Sequence, residues 1–217
     1  EPPPPEPLPA STQLFEGLLA VSVHGGFLFV EQILVPETAQ GRAISWRMLE
    51  HMADIDNMEA LSINDFVPTR VDLIVRVHKQ QAAALRLYEK AGFVIEMFDG
   101  EKHLGEGPRP SENYMSALMA ALREKVTGRM ATVAPLDNFE VVLMRREDLL
   151  NSGLMAHAAR AAFQAAHHKK GGSRADFDEN MADSDFVLIA KTNLPPPSAD
   201  APEPEPSLPP RPTPSPA

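Results

Sequence analysis

Proline divides this chain into parts that can fold and parts that cannot. Of its 22 prolines, 6 stand in residues 1–10 and 11 in residues 195–217, which leaves 5 for everything between. A residue with a fixed φ and no backbone N–H is excluded from helix interiors and from central strands. The two ends also hold almost no aromatic or β-branched residues, whose burial offsets the entropy of ordering a chain. The expectation is a disordered, polyproline-II-like tail at each end, 1–10 and 195–217, around a folded middle. With 43% hydrophobic residues in 217, that middle is rich enough for a core.

The net charge of -10 argues against a broad nucleic-acid surface, because phosphate contacts need clustered cations. The two short basic clusters have simpler readings. Arg145-Arg146 reads as the end of a strand, and His167-His168-Lys169-Lys170 as cations at a helix C-terminus, where the helix dipole favours them. There is no cysteine, which excludes disulfides, thiolate catalysis and Cys-type zinc sites. His157 and His168 share a helix face but have no carboxylates at ligand spacing, so no metal is expected. No apolar run reaches the length of a membrane span, and no signal peptide is visible. The expectation is a soluble intracellular protein, cytoplasmic or organellar, with neither nucleic acid nor membrane as partner.

Along the middle, Leu14–Val23 and Phe27–Val35 read as strands joined by the turn signal His24-Gly25-Gly26. Gln40–Met52 has helical spacing, with Ile44, Met48, Leu49 and Met52 on one face. Val71–Val77 alternates as a third strand. Gln80–Lys90 is a helix stopped by Gly92, and Phe93–Phe98 is a fourth strand. Asp99–Pro110 reads as loop, Ser111–Val126 as a helix with Ser111 as N-cap, and Phe139–Arg145 as a fifth strand. Leu149–Lys170 reads as one alanine-rich helix, and Asp185–Ala190 as a last strand. Strands alternating with helices predict an α/β fold with a mixed sheet and crossover helices.

Two segments carry a more specific signal. The first is Val30–Val35, followed by Pro36-Glu37-Thr38-Ala39-Gln40-Gly41-Arg42-Ala43-Ile44-Ser45 and an amphipathic helix. The second is Val75-x-Val77-x-x-x-Gln81-x-x-Ala84-Leu85-x-Leu87-Tyr88-Glu89-Lys90-Ala91-Gly92-Phe93. In order and in spacing they resemble the GNAT family of acetyltransferases. There a strand, a phosphate-cradling loop and a helix precede a second helix ending in Leu-Tyr-x-x-x-Gly-Phe. A diphosphate binds readily at a helix N-terminus, which presents unpaired N–H groups and a partial positive charge. The resemblance implies acetyl-CoA as cosubstrate, held by the backbone of Leu34 and Val35, by Gln40, Gly41, Arg42, Ala43 and Ser45 of the loop, and by Gln81. The family's two glycines after Gly41 are here Ala43 and Ser45, and its asparagine is Gln81.

The same resemblance implies transfer of acetyl to a primary amine of a protein or small molecule. Tyr88 is its candidate acid toward the departing thiolate, and Glu31 its candidate base, with His24 and His78 as alternatives. The acidic balance suits a cationic acceptor. A complete family domain carries two helices and a strand or two ahead of the segment that opens near Leu14, and they form part of the acceptor wall. A proline tail stands in that place here. The expected organisation is therefore a domain over 11–147 with an insertion at 99–136 and an incomplete front. A helix-and-strand extension over 148–194 follows, including a C-terminal helix extra to the family pattern. A protein partner or a homodimer is expected to complete the fold. Phe139–Met144 resembles the family's late strand. Three functions stay open: a working N-acetyltransferase, a catalytically inactive relative serving as scaffold or interaction subunit, and an unrelated α/β binding protein.

Overall fold

A computed structural model describes residues 13–24, 26–54, 67–76, 82–98, 108, 112–167, 177–179 and 181–194. Both proline-rich tails, His78, Gln81, the expected loop at 99–110 apart from Pro108, the N-cap Ser111 and the cluster from His168 to Lys170 lie outside the described residues. Seven strands form one sheet: β1 (Gln13–His24), β2 (Phe27–Leu34), β3 (Arg70–Arg76), β4 (Val94–Ile95), β5 (Glu112–Leu118), β6 (Phe139–Arg145) and β7 (Phe186–Asn193). The helices are α1 (Ile44–Ala53), α2 (Ala82–Lys90), α3 (Met119–Met130), α4 (Arg146–Asn151) and α5 (Leu154–His167). The strand order is β4-β5-β3-β2-β1-β7-β6. Among the described residues only β2 and β3 run parallel; every other pair is antiparallel. The expected α/β architecture with a mixed sheet is what the chain adopts.

β1 lies inside this order, between β2 and β7, and is covered on both faces. Its continuous apolar run follows from that position, since a strand buried on two sides loses the alternation of a half-exposed one. Leu19 and Val21 point into one core with Met48, Leu49 and Met52 of α1 and Leu122 and Val126 of α3. Leu18 and Ala20 point into a second core with Leu149 of α4 and Ala159 and Phe163 of α5.

Three expectations give way. Glu112–Leu118 is a strand, not the first half of a helix over Ser111–Val126. Met115, Met119 and Leu122 have helical spacing, but β3 offers a partner that pairs all seven residues from Glu112 to Leu118, and that pairing prevails. The expected strand Phe93–Phe98 is reduced to Val94–Ile95. The single helix expected over Leu149–Lys170 is two, because Ser152 both ends α4 and caps α5. Its hydroxyl donates to the Leu149 carbonyl at 2.6 Å and accepts the Ala156 N–H at 3.2 Å.

The boundary expected between 147 and 148 falls inside this one sheet. β7 lies between β1 and β6, so the segment after Glu147 is part of the central architecture. β7 ends where β1 begins, with Asn193 opposite Gln13. Beside the parallel pair, a buried Asp72 on β3 accepts the Tyr114 hydroxyl of β5 at 2.6 Å and the Arg70 Nε–H at 2.6 Å, which ties the two strands together.

Candidate functional site

β2 and β3 pair only from Phe27 opposite Arg70 to Val30 opposite Leu73. Beyond that point β2 stays with β1 and β3 with β5, and the two parallel strands part. A β-bulge marks the same place. Ala20 faces Gln32 while Val21 faces Val30, so Glu31 is the extra residue. A bulge bends its strand and re-aims its side chain, here at the mouth of the cleft. The cleft is a cavity of about 310 Å³ lined by Glu31, Gln32, Leu73, Ala84, Tyr88 and Glu112 among others. It brings Glu31 and Tyr88, 57 positions apart in the sequence, to one site.

Glu31 is half-buried, and its Oε1 accepts the Ser22 hydroxyl at 2.5 Å. Ser22 Oγ in turn lies 2.9 Å from His24 Nε2. Burial raises the Glu31 carboxyl above its ordinary range; the Ser22 hydrogen bond pulls it back, and Asp183 and Asp185 push it up again. Gln32 Oε1 is buried in the same cleft with no hydrogen-bond partner among the described residues. A buried acceptor left unpaired is costly, and a ligand N–H would satisfy it.

Tyr88 is held by the way α2 ends. Gly92 has φ 97°, open to glycine but strained for other residues. There the Gly92 N–H donates to Glu89 C=O at 3.1 Å and the Phe93 N–H to Tyr88 C=O at 3.0 Å. These are the two bonds of a Schellman stop, and the Tyr88 and Phe93 rings meet edge to face at 5.6 Å beneath it. Burial pushes the Tyr88 phenol up to about 12.

A larger cavity of about 710 Å³ adjoins the cleft, sharing Ile33, Ala84 and Tyr88 with it. The loop after β2 forms one wall through Val35, Ala39, Gln40, Gly41 and Ala43, and the first turn of α1 another through Ile44, Ser45 and Trp46. Gly41 has φ 80° and Ala43 φ 58°. Ala43 is the N-cap of α1, and no side-chain hydrogen bond caps this helix end. Arg86 and Lys90 of α2 and Arg129 of α3 complete the lining, and no carboxylate is among the described lining residues. In a chain with a net charge of -10, that is a locally positive basin.

Gln40, Gly41, Ala43 and Ser45 thus stand together as the sequence pattern expects, with Val35 beside them. Leu34 turns its side chain into the second core. Arg42 does not line the cavity. Its guanidinium pairs with Glu16, a side chain 2% exposed whose carboxylate also accepts the Thr192 hydroxyl at 2.9 Å. Arg86 and Lys90 were readable from their spacing one turn apart on the helix that carries Tyr88. Trp46 and Arg129 carried no such signal; Arg129 comes from a helix whose position depends on the sheet. No group of three or more metal-ligating side chains occurs among the described residues, and none of their helices is long and apolar enough to cross a membrane. No protein-family model, curated protein or solved structure matches this chain.

Proposed function

We propose that this chain is an acetyl-CoA-dependent N-acetyltransferase acting on a primary amine. The observation that carries the reading is the carboxylate-free basin of Arg86, Lys90 and Arg129 at the uncapped N-terminus of α1, opening into the cleft shared by Tyr88 and Glu31. Cations and free helix N–H groups suit a diphosphate. The parted strands β2 and β3 leave room for a narrow chain to pass between them, and the unpaired Gln32 Oε1 suits an amide or amine N–H. The residues present fit the cosubstrate, with Arg86, Lys90 and Arg129 taking over the cationic part expected of Arg42.

The fold also suggests where the missing front is. The arm β6–α4–α5–β7 holds two strands and two helices, and its last strand pairs antiparallel with β1. A front ahead of β1 would end in a strand paired in this way, since sequential strands tend to be neighbours. We read the arm as that front, transposed to the far end of the chain, with β5 in the place of the late strand. On this reading no partner is needed to complete the fold.

Acetyl-CoA supplies an acetyl thioester. The acetyl carbon leaves sulfur for the amine nitrogen, the amine loses one proton, and the departing thiolate takes one from solvent. Glu31 takes the first, since burial raises its carboxyl and it holds a proton more firmly than an ordinary glutamate. Tyr88 lines both cavities and would lie beside the sulfur of a bound thioester. Its phenol, at about 12, holds its proton more tightly than a thiol near 8.5, so it serves as a hydrogen-bond donor that remains neutral throughout the physiological range.

The test is thiol release from acetyl-CoA with a panel of polyamines, lysine peptides and peptides with free N-termini. At least one should be acetylated. Glu31→Gln should lower kcat by about 100-fold and Tyr88→Phe by about 10-fold, with the KM for acetyl-CoA little changed. Binding of acetyl-CoA without turnover on any amine would select the catalytically inactive scaffold instead.

A further inference from the structure

Among the described residues, β6 (Phe139–Arg145) is the last strand of the sheet and pairs only with β7. Its register runs without a bulge from Phe139 opposite Thr192 to Arg145 opposite Phe186. Two flanking bonds show which backbone groups are used. The Asn193 N–H donates to Asn138 C=O at 2.9 Å, and the Arg146 N–H to Asp185 C=O at 3.2 Å. Residues of an antiparallel strand alternate between neighbours. The even-numbered residues therefore bond to β7, while Phe139, Val141, Leu143 and Arg145 turn their N–H and C=O groups outward. Among the described residues no backbone bond reaches them on that side.

Edge strands usually carry a device against further pairing, such as proline, lysine, a bulge or short length. The opposite edge, β4, is two residues long. β6 is seven residues long with no proline, lysine or bulge. Val141, Val142, Leu143 and Met144 are all half-buried, and the charges of the strand stand near its ends at Glu140 and Arg145.

We propose that β6 is a dimerisation strand, on which a second copy of this chain pairs antiparallel about a two-fold axis at Leu143. Only outward-facing residues can bond to outward-facing ones, which restricts the pairing to odd with odd. With Leu143 opposite its own copy, Val141 faces Arg145 of the second copy and roughly six backbone hydrogen bonds form. On the alternate positions Val142 meets Met144 of the second copy. Glu140 meets Arg146 of the second copy, and by symmetry the ion pair forms twice. Glu140 is held through Oε1 by Lys191 at 3.2 Å and Asn193 at 2.8 Å. Arg146 uses Nη1 on the carbonyls of Met181 and Ala182. Each therefore keeps polar atoms for the contact, and that charge match favours a second copy over an unrelated strand.

The experiment is light scattering on the full chain at about 100 μM, joined to amide exchange by NMR. The mass should be twice the 23.7 kDa of the chain. The amides of Val141 and Leu143 should be protected at this concentration and lose at least about 10-fold in protection on dilution to the monomer. Val141→Pro removes an outward N–H without touching the β7 ladder, and should give a folded monomer. Arg145→Pro is the second variant, because Arg145 is exposed and its φ of -70° already suits proline. It should weaken the dimer at least about 10-fold. A monomeric wild-type chain at 100 μM would overturn the proposal. So would a dimer whose Val141 and Leu143 amides exchange freely, or one that both proline variants leave intact.

Discussion

Tyr88 and Phe93 hold each other twice. The Phe93 N–H donates to the Tyr88 carbonyl at 3.0 Å, and the two rings meet edge to face at 5.6 Å. The helix stop and the seat of the candidate donor are therefore one structure, and Gly92 is the hinge that permits both.

Gly92→Ala should then cost more than an ordinary surface substitution. At φ 97° a side chain is strained, and the new Cβ would meet Lys125 Cγ at 3.4 Å. The expected loss is about 1–2 kcal/mol, read as a lower urea midpoint. The near-ultraviolet signal of Tyr88 should change with it, because the ring contact depends on the same turn.

Ala43 invites the opposite change. It occupies the left-handed region at φ 58°, where the GNAT pattern that the sequence resembles has glycine. Ala43→Gly should stabilise the protein by up to about 1 kcal/mol, measured by urea unfolding. It should also leave acetyl-CoA affinity unchanged or improved, since the backbone becomes more accessible to phosphate. A loss of stability would show that Ala43 holds the loop by a contact of its methyl group.

Arg42 and the basin separate stability from binding. Removing Arg42 leaves Glu16 buried without its cation. Because Arg42 is one-third exposed, Arg42→Ala should cost about 2 kcal/mol, less than a fully buried pair. Acetyl-CoA affinity should change by less than about 3-fold, because the guanidinium does not line the cavity. Unfolding curves and a binding isotherm on the same variant check both.

The Glu31 carboxyl is raised in the folded protein, chiefly by burial. A carboxyl raised on folding favours the folded state when protonated. Its contribution is fully present below the unfolded value and is lost as pH rises through the folded value. Glu31→Gln should thus match the wild type in stability at pH 3.5 and exceed it at pH 7, as measured by urea unfolding at the two pH values. Ser22→Ala removes the hydrogen bond that lowers this carboxyl. It should shift the acidic limb of any acetylation profile upward.

The parts of the molecule that depend on neighbours in sequence were legible there. The β1–β2 strands, the face of α1 and the stop at Gly92 each rest on a pattern a few residues long. Glu112–Leu118 was not legible, because its methionines have helical spacing and only the unpaired edge of β3 makes it a strand. Glu31 was legible as a candidate from the family pattern, but its bulge depends on register against Ala20 and Val21. Arg129 joins the basin because α3 packs against α1 on the same face of the sheet, a relationship no local pattern encodes. The place of β7 between β1 and β6 is likewise a pairing across most of the chain, in which Asn193 meets Gln13.

Calorimetric titration of the folded chain with acetyl-CoA tests the central claim most directly, beside Tyr88→Phe and the double variant Arg86→Glu, Lys90→Glu. Saturable binding in the micromolar range is expected, retained in Tyr88→Phe and weakened at least about 10-fold by the charge reversal. A wild-type chain with intact circular dichroism that takes up no acetyl-CoA, or binds it equally well after the reversal, would contradict it.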